Sequence, residues 1–190
     1  MESKQLIKER RTIRRFSDRS VQSQRLLELL SEAERLSSDE EPVRTRYIFA
    51  LSPDEKLRLA DYLMEKAVEN SIVKVALSPI LKSYHKHFRQ VPAIIIVVAQ
   101  QSGDRIQDEM IFGTTCRIIQ SFQLLAWKEG MGMLWMTDPV LMKEALFKNI
   151  GIKEGEKFVG MLNIGYPEKI PKGRSRTLAE KRWKVLEGLN

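Results

Sequence analysis

Ala93-Ile94-Ile95-Ile96-Val97-Val98-Ala99, entered through Val91-Pro92, is the stretch of this 190-residue chain from which the fold is read. It is a continuous run of Ile and Val closed by Ala, with no polar residue at alternate positions, the pattern of a strand buried on both faces. A bilayer crossing needs about 20 apolar residues, so this run belongs to a protein interior. The chain can supply the cover: 43% of its residues are hydrophobic and 30% charged, a balance that closes a core without disulfides or metals and excludes fibrous, collagen-like and disordered classes.

On the C-terminal side, apolar positions from Gln107 to about Glu129 predict a long helix apolar on more than one stripe, to be buried centrally or against a partner subunit. Gly113, Thr114 and Thr115 give it a patch of small residues, and Gly130 is its expected C-cap. Met133–Met136 reads as a strand, Pro139–Phe147 as a helix and Phe158–Ile164 as a strand closed by a Gly165-Tyr166-Pro167 turn. On the N-terminal side, Leu6 and Ile7 suit a first helix, and a second starts after Ser23 as its N-cap. Thr45–Leu51 reads as a strand, and Ser52, Pro53 and Asp54 open a helix to about Asn70. Mixed helices and strands with no linker or repeat argue α/β or α+β architecture in one domain, residues 1–190.

Cys116 is the single cysteine, so no internal disulfide points to an oxidising compartment, and no apolar signal-peptide core follows the N-terminal charges. A cytoplasmic protein with no membrane partner is expected. The net charge of +7 is unevenly placed. Seven cations face two acids between Lys4 and Arg19, and seven face one between Lys169 and Lys184, while the body of the chain is mildly acidic. Such ends call for an anion.

Several motifs lead nowhere. Gly130-Met131-Gly132 lacks the third glycine of a dinucleotide fingerprint and follows a helix. Gly151–Lys157 is too short for a phosphate-binding loop and carries two acids. His85 and His87, with Cys116, lack local carboxylates to complete a metal site, and no Ser sits in a nucleophile elbow. No metal and no catalytic side chain is expected.

Lys8–Asp18 is the informative segment. If Arg10–Phe16 is extended, as Thr12 and Ile13 favour, Arg10, Thr12 and Arg14 project to one side and Arg11, Ile13 and Arg15 to the other. Two guanidinium forks and a hydroxyl on one side suit a phosphate. An ordinary solvated basic turn is the alternative.

Ile7–Val21, with its core Arg10-Arg11-Thr12-Ile13-Arg14-Arg15-Phe16, resembles the opening of the FMN-dependent nitroreductase family, usually Arg-Arg-Ser-x-Arg-x-Phe. In order along the chain, Gly130-Met131-Gly132-Met133-Leu134-Trp135 resembles the family's Gly-Leu-Gly-x-x-Trp. Val159–Pro167 resembles its strand and Gly-Tyr-Pro turn, and Pro171-Lys172-Gly173-Arg174 its C-terminal phosphate-binding segment. The resemblance implies an α+β fold, a three-layer α/β/α sandwich with a central mixed sheet, as a homodimer with FMN at the interface. It also implies that Arg10, Arg11, Thr12, Lys172 and Arg174 hold the FMN phosphate, that Arg14 lies near flavin N1 and the C2 carbonyl, and that Trp135, Met136 and Thr137 line the flavin. The implied reaction takes hydride from NADH or NADPH to the flavin and then reduces a small acceptor such as a nitroaromatic or quinone, the flavin carrying the chemistry.

The likeness has gaps. Leu36–Val43 keeps only Ser38 and Pro42 of the family's Ala-Pro-Ser-x-x-Asn-x-Gln-Pro-Trp segment, and Asp39, Glu40 and Glu41 would repel a phosphate if they pointed inward. Ser71–Arg89, where a further flavin contact belongs, offers only Lys86 and His87 as stand-ins. Two other readings stay open: a flavin-fold relative without activity that serves as a binding protein, and a nucleic-acid clamp built from the basic ends. The clamp explains the charge but not the order of the other motifs.

Overall fold

In the computed structural model, Ala93–Gln100 is an inner strand of a four-stranded sheet, and no residue from Ala93 to Ala99 is more than 3% exposed. The structure describes residues 3–37, 42–67, 86, 88–137 and 150–173. The expected helix at Pro139–Phe147, the histidines 85 and 87, the acids 39–41 and Arg174 lie outside the described residues. In chain order the elements are α1 (Ser3–Glu9), α2 (Ser23–Ser37), β1 (Thr45–Ala50), α3 (Pro53–Ala67), β2 (Ala93–Gln100), α4 (Arg105–Lys128), β3 (Gly132–Met136) and β4 (Glu156–Gly165).

The period of two along β2 distributes its side chains between two cores. Ala93, Ile95, Val97 and Ala99 join Leu26, Leu29, Leu30 and Ala33 of α2 and Ile118, Ile119, Phe122 and Ala126 of α4. Ile94, Ile96 and Val98 join Leu59, Ala60 and Leu63 of α3, with Phe88 and Val91. Helices therefore cover both faces, which makes the architecture an α+β three-layer sandwich, and each fully buried Ile or Val contributes about 1.5–3 kcal/mol.

The sheet order is β1-β2-β4-β3 and each neighbouring pair is antiparallel. Among the described residues the sheet is therefore antiparallel and not mixed as expected; one isolated parallel bridge, from Thr12 to Met133, brings the N-terminal segment to the β3 edge without adding a strand. A bulge sets Val97 opposite Gly160 and Val98 opposite Phe158. The extra residue, Val159, turns into the α2–α4 core while Phe158 enters the α3 core.

Local signals explain most element ends. Ser52 caps α3: its Oγ accepts from Glu55 N–H at 3.2 Å, and the Glu55 carboxylate accepts from Ser52 N–H at 3.0 Å, with Pro53 at the first helical position. Asp104 caps α4 by accepting from Gln107 N–H at 2.8 Å, and Gly130 (φ 80°) follows the end of α4 as expected. Ser23 is not a cap but the first residue of α2. The helix α4 is not buried all round within one chain: Ile106 is 71% and Met110 61% exposed, and Phe112 is also exposed. Of its small patch, Gly113 faces open space, whereas Thr115 is buried, bonded to Thr45 Oγ1 and to Ile111 O. No helix among the described residues is long and apolar enough to cross a membrane.

The Gly151–Lys157 stretch is a turn into β4, with positive φ at Gly151 and Gly155. Its Glu156, whose side chain is 5% exposed, receives the Arg46 guanidinium on both carboxylate oxygens, Nε at 2.7 Å, and Lys153 N–H at 2.8 Å. The Arg46 hydrogen bonds hold this carboxyl below the ordinary 4.5. Because the folded value lies below the unfolded one, the contribution is complete above the unfolded value and is lost as pH falls through the folded one. Glu156→Gln should lower stability at pH 7 by about 1–3 kcal/mol, the worth of a charged hydrogen bond, with the difference from the parent shrinking in acid. Urea unfolding at pH 7 and pH 3 checks this; a difference that persists unchanged at pH 3 counts against the pair.

Candidate functional site

The helix α1 ends in a last turn where Arg10 N–H reaches Leu6 O at 3.0 Å, and the chain then runs extended across the ends of β3 and β4. Two seams fix it. At the first, Thr12 bridges Met133 and Ile13 N–H donates to Met133 O at 3.1 Å. Ile13, 1% exposed, lies directly on Gly132, where an added Cβ would stand 2.1 Å from Ile13 Cγ1. At the second, Phe16 bridges Pro167, Ser17 N–H donates to Tyr166 O at 2.8 Å, and Glu168 N–H donates to Arg15 O at 3.2 Å. Just beyond, the Arg19 guanidinium stacks 3.7 Å over the Tyr166 ring.

The buried anchors are Ile13 and Phe16, three positions apart, so the alternation expected of a regular strand does not carry through: Arg14 and Arg15 are both exposed. Arg11 is held differently. Its Nη1 donates to Lys8 O at 2.7 Å and to Arg10 O at 3.0 Å, and its Nε is buried with no hydrogen-bond partner among the described residues. An added Cβ on Gly173 would stand 2.6 Å from Arg11 Nη2. The two basic ends of the chain thus meet at Arg11, with Lys172 exposed beside the contact. A buried guanidinium donor left over between two cationic segments suits an anion with several acceptor oxygens.

The other sequence-predicted residues divide. Arg10 and Thr12 are half-buried on the same segment. Trp135, Met136 and Thr137 stand at the far end of β3, about 3.3 Å further from Met133 with each residue. Trp135 packs with the α2–α4 core, its Nε1–H donating to Val159 O at 3.3 Å above Gly160. Met136 packs with the α3 core, its Sδ 3.5 Å from Asn163 Nδ2. Their side chains occupy opposite faces of the sheet, so what this stretch can offer to a single ligand is its edge and the exposed Thr137. Lys86 is exposed, and Ser38 lies outside the described residues. Gly132 and Gly173 figure in the sequence reading only as parts of motifs, without a role: each permits a close approach that depends on a partner more than a hundred positions away.

Comparison with known proteins bears on the family and the fold. A profile described as the Nitroreductase family matches residues 7–166. The Bacillus subtilis (strain 168) protein YfhC, provisionally named an NAD(P)H nitroreductase, is 27% identical over 172 residues, which is 90% of this chain and 88% of that protein. A nitroreductase-like family protein from Bacillus cereus has a crystal structure that superposes with a TM-score of 0.87 at 28% identity, over 99% of this chain and 97% of its own. A Desulfovibrio desulfuricans structure in complex with FMN, provisionally called a nitroreductase, has the same fold at 20% identity, with a TM-score of 0.69 over 99% and 98% of the two chains.

Proposed function

Because the chain belongs to the nitroreductase family, we propose that it is an FMN-dependent NAD(P)H oxidoreductase, one flavin-binding domain over residues 1–190, working in the cytoplasm as a homodimer with FMN at the interface. The observation that carries the reading is Arg11: a guanidinium with a buried, unbonded Nε set where the N-terminal and C-terminal basic segments touch. That donor set fits a phosphate monoester. Arg10, Arg11, Thr12 and Lys172, with Arg174 from outside the described residues, are the residues assigned to hold it.

Bound FMN would supply the redox chemistry, accepting hydride from NADH or NADPH and passing it to a small acceptor such as a nitroaromatic or quinone. The chain's part is binding and electrostatics. The seams at Met133 and Tyr166 keep Arg10–Arg14 in place before any ligand arrives, so little ordering is left for binding to drive. Arg14, exposed and two residues past Thr12, is assigned to the pyrimidine end of the flavin. A cation there favours the reduced, anionic form. Trp135, Met136 and Thr137 are assigned to the flavin through the β3 edge. Ile106 and Met110, exposed one turn apart on α4, support the dimer, since neighbouring exposed apolar side chains mark a partner surface.

The test is the visible spectrum of the purified protein, with light scattering on the same sample. A yellow protein of twice the chain mass, bleached by NADH or NADPH under anaerobic conditions and recoloured by a nitroaromatic or quinone, is the expected result. Colourless protein that takes up no added FMN ends this reading. Bound FMN that neither nicotinamide reduces points instead to a flavin-binding protein without the activity.

A further inference from the structure

Lys56, on the first turn of α3, has no part in the reading above, yet it is 6% exposed. Its ammonium donates to Val91 O at 2.7 Å and to Pro92 O at 3.3 Å, and it pairs with no acid among the described residues. Burial lowers its pKa. A cation in such a place is unfavourable where a Met or Leu would pack without penalty, so the two carbonyls are what the ammonium is there for. They belong to the corner where the chain enters β2. Pro92 has no N–H to be held by, and its carbonyl is the handle left on the backbone there.

Pro92 in turn supports the basic segment. An added Cβ on Gly165 would stand 2.5 Å from Pro92 Cγ and 3.0 Å from Phe16 Cδ1, so the proline ring and the Phe16 ring share the space that a side chain would take at this glycine. Phe16 is the second anchor of the segment that carries Arg10–Arg14. We infer that Lys56 is a positioning residue: by holding the Val91–Pro92 corner it fixes the surface on which Phe16, and with it the phosphate-binding run, is seated. The consequence for FMN rests on the function proposed above; the consequence for the segment does not.

Lys56→Met keeps the apolar stem and removes the donors. In the ligand-free protein, hydrogen exchange at the Ser17 and Ile13 amides should accelerate about 10-fold, the worth of one charge-assisted hydrogen bond, while the β2–β4 ladder keeps the parent rates. In the same variant FMN dissociation should strengthen by about the same factor, and Lys56→Arg, which keeps donors at that place, should return both towards the parent. If Lys56→Met does not fold, Pro92→Ala removes the ring with Lys56 intact and should loosen Ser17 selectively. Uniform acceleration across the sheet, or unchanged Ser17 and Ile13 amides, overturns the inference, as does a Lys56→Arg as loose as Lys56→Met. Loosened amides with unchanged FMN affinity remove the link to the phosphate. A parent protein that takes up no FMN defeats the proposed function, while the exchange pattern still decides the role of Lys56.

Discussion

Arg11→Ala should weaken FMN binding about 100-fold, the loss expected when one member of a desolvated charge pair is truncated. Its Nη1 is already fixed by the carbonyls of Lys8 and Arg10, so the fork does not have to be ordered when the anion arrives, and its buried Nε, without a partner among the described residues, is left to donate to that anion. Arg15→Ala is the control: it removes an exposed cation of the same run and should change the affinity less than about 3-fold at physiological salt. Arg11→Lys should recover part of the loss, because an ammonium restores the charge but not the fork. Fluorescence titration of flavin-free protein measures all three. Equal losses in Arg11→Ala and Arg15→Ala would mean that general positive charge, and not the Arg11 donor, attracts the cofactor.

Gly132→Ala should be one of the most damaging single methyls in the described part of the molecule. The new Cβ would lie 2.1 Å from Ile13 Cγ1 and 2.8 Å from Ile13 Cβ, the stem of a buried β-branched side chain with little freedom to move aside. Overpacking of this kind costs about 1–3 kcal/mol, and melting falls by about 2–4 °C per kcal/mol in a chain of this size. The seam at Met133 must open to relieve it, so FMN affinity falls with stability. Ile13→Ala alone should also destabilise, by about 2–5 kcal/mol, but the two changes together should cost clearly less than their sum, because the second removes the clash of the first. Additive losses would place the damage elsewhere.

These cases show how far the sequence could be read. The core strand was legible because Ile94–Val98 is apolar at every position, which leaves covering layers on both sides as its satisfactory environment. The Val159 bulge was not, since it depends on how β4 lies along β2. The Arg10–Phe16 run announced an anion site by residue type, but its geometry is set by two seams with residues of β3 and of the turn after β4, and periodicity within the run is silent about them. Gly132 could be matched to the Gly-Leu-Gly-x-x-Trp motif but given no physical reason, because that reason, Ile13, is remote in sequence. Nothing in Pro53-Asp54-Glu55 marks the Lys56 that follows as buried; the corner at Val91–Pro92, 35 positions on, draws it inside.

The second seam also bears on how the protein is made. Ser17 and Tyr166 are 149 positions apart, so the basic segment, made before its partner, must wait unpaired at this seam until β4 and the turn beyond it have emerged. Contacts of such long separation form late, after the entropy of closing the loop has been met. During synthesis the sheet interior can assemble from nearer neighbours while the basic run stays open. Competence to bind a phosphate would then be acquired only once that turn has been made, and nascent chains halted before residue 166 should be structured in part yet unable to retain a flavin.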